Sequence, residues 1–160
     1  MSERLNPYYI SGFVDGEGCF AITLSRAPSK RHGVDARLLF EIELRADDVE
    51  ILERIKETLG CGHLYRLDYR RYGWKPHVKY KVSSFKEIDE KLIPFFERYH
   101  LQAKKRKSFK LFCEAANIIR SKRHLTKRGL GELRALQGKM RNSGKKAEPP
   151  GYGKTVRPVV

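Results

Sequence analysis

Two carboxylates stand out in the segment Ile10-Ser11-Gly12-Phe13-Val14-Asp15-Gly16-Glu17-Gly18. Pro7 suits a first helical turn, and Tyr9, Ile10, Phe13 and Val14 recur at helical spacing, so residues 7–18 begin as a helix. Asp15 and Glu17 then fall at its C-terminal end, where the macrodipole is negative and acids are disfavoured. Acids placed against the dipole point to a positive ligand. A hard divalent cation fits, because Mg²⁺ takes one or two carboxylates and completes its shell with water and phosphate oxygens. Metal-assisted phosphodiester cleavage uses such sparse ligand sets.

Gly12 and Gly16 stand one turn apart, a spacing that lets two helix backbones approach closely. Three glycines in seven helical residues lower helix stability and need a reason. Two chains meeting on the glycine face would bring two copies of Glu17 together. The plainer readings are glycines packed against a helix of the same chain and a solvated surface acid at position 17.

The elements that must hold these residues follow from periodicity. Residues 19–26 and 37–45 alternate as strands around a loop at 27–36. Phe20, Ile22, Leu24, Leu38, Phe40, Ile42 and Leu44 face inward. Residues 47–59 form a helix, with Asp47 or Asp48 as its cap, Leu52, Ile55 and Leu59 buried, and Gly60 as its stop. Residues 62–70 and 75–82 make a second hairpin around Tyr72-Gly73. The odd spacing of Leu64 and Leu67 predicts a bulge or bend in its first strand. Helices follow at 85–99, with a kink at Pro94, and at 104–120 and 126–142. The fold class is α+β: an α-ββ-α-ββ-α order with a four-stranded antiparallel sheet, helices on one face, and extra C-terminal helices. Residues 1–142 form the domain and 143–160 a basic, disordered tail, rich in Pro, Gly and Lys.

The open face of that sheet carries Ala21, Thr23, Ser25, Arg37, Leu39, Glu41, Glu43, His77, Lys79 and Lys81. A polar face of mixed charge on long strands suits a DNA groove. The loops and hairpin ends add Arg26, Lys30, Arg31, Arg66, Asp68, Arg70 and Lys75 as expected DNA contacts. Trp74 either packs at the hairpin tip or touches a base or phosphate.

Composition agrees with a polyanion partner. The 160 residues hold 34 Lys+Arg against 19 Asp+Glu, a net charge of +15. Residues 1–100 carry only +1 of it, with 17 basic and 16 acidic side chains, and residues 101–160 carry +14. Strand regions 19–45 and 62–82 nonetheless hold 11 basic and 4 acidic residues, a local +7 that the acidic helices conceal. No run of about 18 apolar residues exists, so no membrane partner is expected. Three widely spaced cysteines and an N-terminus without an apolar core lead us to expect reduced thiols and an intracellular protein, in the cytoplasm, nucleoid or an organelle matrix. Cys61-Gly62-His63 lacks the second pair that structural zinc needs.

The segment Gly12-Phe13-Val14-Asp15-Gly16-Glu17-Gly18 resembles the motif of the LAGLIDADG homing endonucleases. The resemblance extends through Asp47-Asp48 with Leu52 and Ile55, Gly60-Cys61-Gly62, Lys104-Lys105 with Ser108-Phe109, and His124-Leu125-Thr126 with Gly129-Leu130, and covers residues 7–142. It implies a site-specific endonuclease that uses Mg²⁺, or another divalent cation such as Mn²⁺, and leaves 3′ overhangs in a long near-palindromic duplex during intron or intein homing. One motif copy implies a homodimer joined through Gly12, Phe13, Asp15 and Gly16. Glu17 matches the catalytic, metal-binding acid, the Gly16 carbonyl a metal-ligating oxygen, and Asp15 a structural acid. Lys105, then Lys104, match the basic residue that steadies phosphate charge. Some relatives end the second strand with Gln, where Leu44 stands here beside Arg45. The alternative is a non-cleaving binding module or a splicing maturase on the same fold, with intron RNA as its partner.

Overall fold

The computed structural model describes residues 3–144. Helix α1 (Pro7–Glu17) runs without a break into β1 (Gly18–Arg26), which turns back as β2 (Val34–Arg45). A 3₁₀ turn at Ala46–Asp48 leads to α2 (Val49–Leu59), then β3 (His63–Leu67) and β4 (His77–Val82). Short helices α3 (Phe85–Glu87) and α4 (Ile93–Arg98) flank a π turn at Ile88–Leu92. Helices α5 (Lys105–Arg120) and α6 (Lys127–Gly144) follow. The expected boundary at 142 falls inside α6, and positions 145–160 of the expected tail lie outside the described residues.

The sheet is four-stranded and antiparallel, in the order β1-β2-β4-β3. Its helix side buries Phe20, Ile22, Leu38, Phe40, Ile42, Val78, Tyr80 and Val82. Phe20 is the hub of the core, with ring centroids 4.9 Å from Phe40, 5.1 Å from Phe112, 5.4 Å from Phe109 and 5.8 Å from Phe96. Each such aromatic removes a large apolar area from water and adds edge contacts. The buried Tyr80 hydroxyl donates to the Cys61 carbonyl at 2.7 Å, so its one polar group is satisfied.

Several local expectations need correction. The first hairpin is longer than the alternation suggested, because β2 already begins at Val34 opposite Arg26. Neither Asp47 nor Asp48 makes a side-chain cap bond to α2; Asp47 pairs with Arg45 at 2.8 Å instead. Strand β3 has no bulge. Leu64 opposes Tyr80 and Leu67 opposes His77, so the two leucines lie on opposite faces. At Pro94, the missing N–H and the ring's clash with the preceding turn are taken up by the π turn just ahead of it.

Candidate active site and nucleic-acid interface

Asn6 opens α1 by accepting the Tyr8 N–H at 2.9 Å, with Pro7 in the first turn. Ile10 and Val14 anchor the helix in the core, and buried Ser11 donates its hydroxyl to the Tyr99 carbonyl at 2.7 Å. The opposite stripe is bare. A Cβ added to Gly12 or Gly16 would meet nothing within 4 Å. Tyr9, 51% exposed, stacks with Phe13 beside them at 6.2 Å. These glycines therefore pack against no helix of their own chain among the described residues, which removes the plainer reading of them. Gly18 has a different reason. A Cβ there would lie 2.6 Å from a Val14 methyl and 2.9 Å from the Val14 carbonyl oxygen. Only glycine lets the helix end and the strand begin at one residue, and that junction holds Glu17 at the mouth of the sheet.

Asp15 accepts the backbone N–H groups of Gln102 and Ala103 at 2.8 and 3.1 Å. Its carboxylate is thus engaged within the chain. The same bonds tie the turn before α5 to the end of α1. Lys104, the N-cap of α5, and half-buried Lys105, its first residue, follow directly from that turn. Glu17 is exposed and has no partner among the described residues. The Gly16 carbonyl lies in the last helical turn, where carbonyls lack partners within the helix. An unpartnered carboxylate and a helix-end carbonyl form a hard-oxygen donor set, which fits a divalent cation. No group of three or more His, Cys, Asp or Glu among the described residues could hold a metal, so one chain offers only part of a shell.

The open face of the sheet is as expected for Ala21, Thr23, Ser25, Arg37, Leu39, Glu41, Glu43, His77, Lys79 and Lys81, which share one parity across three strands. Many of its charges are already paired. Lys79 Nζ lies 2.9 Å from Glu41 and 3.5 Å from Glu43, and the bond to Glu41 raises the lysine pKa. Arg37 contacts Asp35 at 2.7 Å. Lys81 has no partner among the described residues. Exposed pairs are worth only ~0–1 kcal/mol, so they exchange readily for phosphates and base edges. Lys30 and Arg31 sit in the first hairpin loop and Lys75 just before β4.

Two expected contacts fall on the other side. Arg26 opposes Val34 and Arg66 opposes Val78, and the period of two places both on the helix-covered parity. Asp68 and Arg70 leave the strand for the hairpin tip, where Arg70 grips Asp68 at 2.7 Å and holds its carboxyl down to about 2. The open face also includes His63, and Cys19, Asp35, Arg45, Tyr65 and Leu67, which sequence reasoning missed. The alternation of β4, transferred through pairing, was the signal that could have found Tyr65 and Leu67. A cavity of about 970 Å³ between α2, the start of β3 and the 87–91 segment takes no residue from α1 or α5 and is separate from the Glu17 site.

The LAGLIDADG endonuclease profile matches residues 10–116, which takes in most of α1, the whole sheet and most of α5. The chain belongs to the LAGLIDADG endonuclease family. It is 32% identical over 161 aligned positions to "Probable intron-encoded endonuclease 3" of Neurospora crassa, covering 98% of this chain and 29% of that protein. Among solved structures it resembles the LAGLIDADG homing endonuclease I-SmaMI bound to cleaved DNA, with a TM-score of 0.81, 35% identity, and coverage of 91% of this chain and 47% of that one. It also resembles I-SmaMI bound to an uncleaved DNA target in the presence of calcium ions, at a TM-score of 0.79 and 37% identity, covering 85% of this chain and 45% of that one. This LAGLIDADG chain therefore spans under a third of the Neurospora relative and a little under half of the solved chains. No helix among its described residues is long and apolar enough to cross a membrane.

Proposed function

We propose that this chain is one subunit of a homodimeric, divalent-metal-dependent endonuclease that cuts both strands of a specific DNA duplex. The observation that carries the reading is the bare Gly12–Gly16 stripe of α1 beside the unpartnered acid at its end. Helices that approach closely across this stripe bring two Glu17 carboxylates to one axis. The two open sheet faces then flank that axis, and the paired site reads a near-palindromic target. The I-SmaMI structures, bound to cleaved DNA and to DNA with calcium ions, support DNA as substrate and a divalent cation as cofactor.

Glu17 and the Gly16 carbonyl would hold the cation, Mg²⁺ or Mn²⁺. When bound, the cation supplies Lewis-acid stabilisation of phosphate charge. The chain's own residues do the rest. Glu17 fixes the site at the helix–strand junction. Asp15 sets the start of α5, so that Lys104 and Lys105 can offset charge gathering on the scissile phosphate. Lys105, half-buried, is the more restrained of the two. The sheet face positions the duplex through Arg37, Lys79, Lys81 and their neighbours. Cleavage of both strands across the minor groove leaves 3′ overhangs. The proposed setting is intron homing inside the cell, in the compartment that holds the host gene.

The test is to incubate the purified protein and Mg²⁺ with a randomised duplex library and sequence the ends produced. One enriched, near-palindromic site with 3′ extensions is expected. Binding without any cleaved site would refute the enzymatic reading and favour a non-cleaving nucleic-acid module.

A further inference from the structure

The tip of the β3–β4 hairpin carries an aromatic cluster that neither the core nor the metal site uses. Trp74 is 60% exposed and Tyr72 64% exposed, with ring centroids 5.9 Å apart and planes tilted by 45°. Large aromatics this open are unfavourable in water unless something covers them. They are also held in place. Tyr69 meets Trp74 edge-on at 5.7 Å and His77 edge-on at 5.0 Å. The Tyr69 hydroxyl donates to Glu43 at 3.3 Å, which braces the ring from the floor of the sheet. Backbone bonds from the Tyr72 and Trp74 N–H groups to the Tyr69 carbonyl, at 2.9 and 3.1 Å, close the turn, and Gly73 takes its left-handed position with φ of 72°. Trp74 is therefore an exposed ring with a fixed orientation, which is how rigid anchors contact a partner.

The surroundings indicate which partner. Arg71 and Lys75 flank the rings, both exposed and without ion-pair partners among the described residues, whereas Arg70 is occupied by Asp68. The cluster continues the open sheet face through His77, which lies at the end of β4 nearest the tip. Cations beside exposed aromatic rings are the composition that grips a nucleic-acid strand, with rings on bases and charges on phosphates.

We propose that Trp74 and Tyr72 form a stacking platform for a nucleobase of each DNA half-site, at the end of the sheet that also carries the α1–β1 junction, with Arg71 and Lys75 on the adjoining phosphates. This rests on the DNA-binding reading above and extends it. A ring that stacks on a base of a duplex must partly open a base step, so the platform favours sequences whose contacted step opens easily.

Trp74 is the single tryptophan of the chain, so its emission reports this site alone. The experiment titrates the full-length protein with a duplex recovered from a randomised library by the wild-type protein, without added metal. It reads Trp74 emission and acrylamide quenching together with anisotropy of a dye on the DNA. Stacking is expected to quench the emission, to shield the ring from acrylamide, and to make Trp74→Ala bind on the order of tenfold more weakly, with Trp74→Phe close to wild type. DNA binding by anisotropy with unchanged emission and quenching would overturn the platform and leave the DNA-binding reading intact. Failure to recover or bind any duplex would overturn both. If Trp74→Ala does not fold, the wild-type emission and Trp74→Phe decide the matter alone.

Discussion

Asp15 and Gln102 stand 87 positions apart in sequence, yet the carboxylate of one accepts the backbone N–H of the other at 2.8 Å. A second bond, from Ala103 at 3.1 Å, uses the other carboxylate oxygen. Two otherwise open donors ahead of α5 are satisfied, and the end of α1 is fixed to the start of α5. Asp15→Asn keeps one acceptor oxygen and places an N–H₂ group against a backbone N–H. We expect a loss of roughly 1–2 kcal/mol of stability. Cleavage should fall more than DNA binding, because Lys104 and Lys105 lose their register with Glu17. Thermal unfolding and a cleavage-to-binding ratio check this.

Gly12→Leu should separate the subunits without harming the fold of each. The added side chain meets nothing within 4 Å of the glycine's Cβ position in its own chain, but would hold two helices apart. Sedimentation should show monomers with wild-type circular dichroism, and cleavage should be lost. A Gly12→Leu protein that still sediments as a dimer would show that the stripe is not the subunit contact.

Two glycines in α6 should respond in opposite senses. At Gly129 a Cβ would sit 1.8 Å from the Arg123 carbonyl oxygen, so Gly129→Ala must displace the α5–α6 turn. It should destabilise by roughly 1–3 kcal/mol. At Gly131 nothing lies within 4 Å, and Gly131→Ala should stabilise the helix by about 0.5–1 kcal/mol. Denaturant midpoints of the two variants measure the contrast.

His124 supplies a pH dependence. Burial, then the positive charge of Lys30, lowers its pKa below the ordinary 6.5, with Asp35 acting in the other direction. Its Nδ1 is buried without a hydrogen-bond partner. The unfolded chain therefore binds the proton more readily than the folded one. The stability is complete above about pH 6.5 and is lost as pH falls through the lower folded value. His124→Gln should flatten stability between pH 7 and the acid side of that window, measured by denaturant melts across pH.

The order of elements was legible in the sequence because strict alternation in 19–26, 37–45 and 77–82 and the stripe in α2 each have one period. The motif was legible because glycines and acids break helix preferences together at residues 12–18. Strand β3 was not, since its five residues share no clear alternation and only pairing with β4 sets its phase. Arg66 was misplaced for that reason, and Arg26 because its residue type suggested DNA contact although its parity at the end of β1 puts it on the helix-covered side. The bonds from Asp15 to Gln102 and Ala103 join segments with no local signal between them. The bare stripe at Gly12 and Gly16 could be suspected from spacing, but its openness needed the packed chain.

The central claim is that Glu17 acts in cleavage and is dispensable for holding DNA. Its direct test is the Glu17→Gln variant, compared with wild type for single-turnover cleavage at saturating protein with Mg²⁺ on a duplex the wild type cuts, and for affinity on the same duplex. Cleavage should drop by a factor of about 10³ or more, as for loss of an electrostatic stabiliser at the reacting phosphate, with affinity unchanged within a few-fold. Wild-type cleavage by Glu17→Gln would contradict the account.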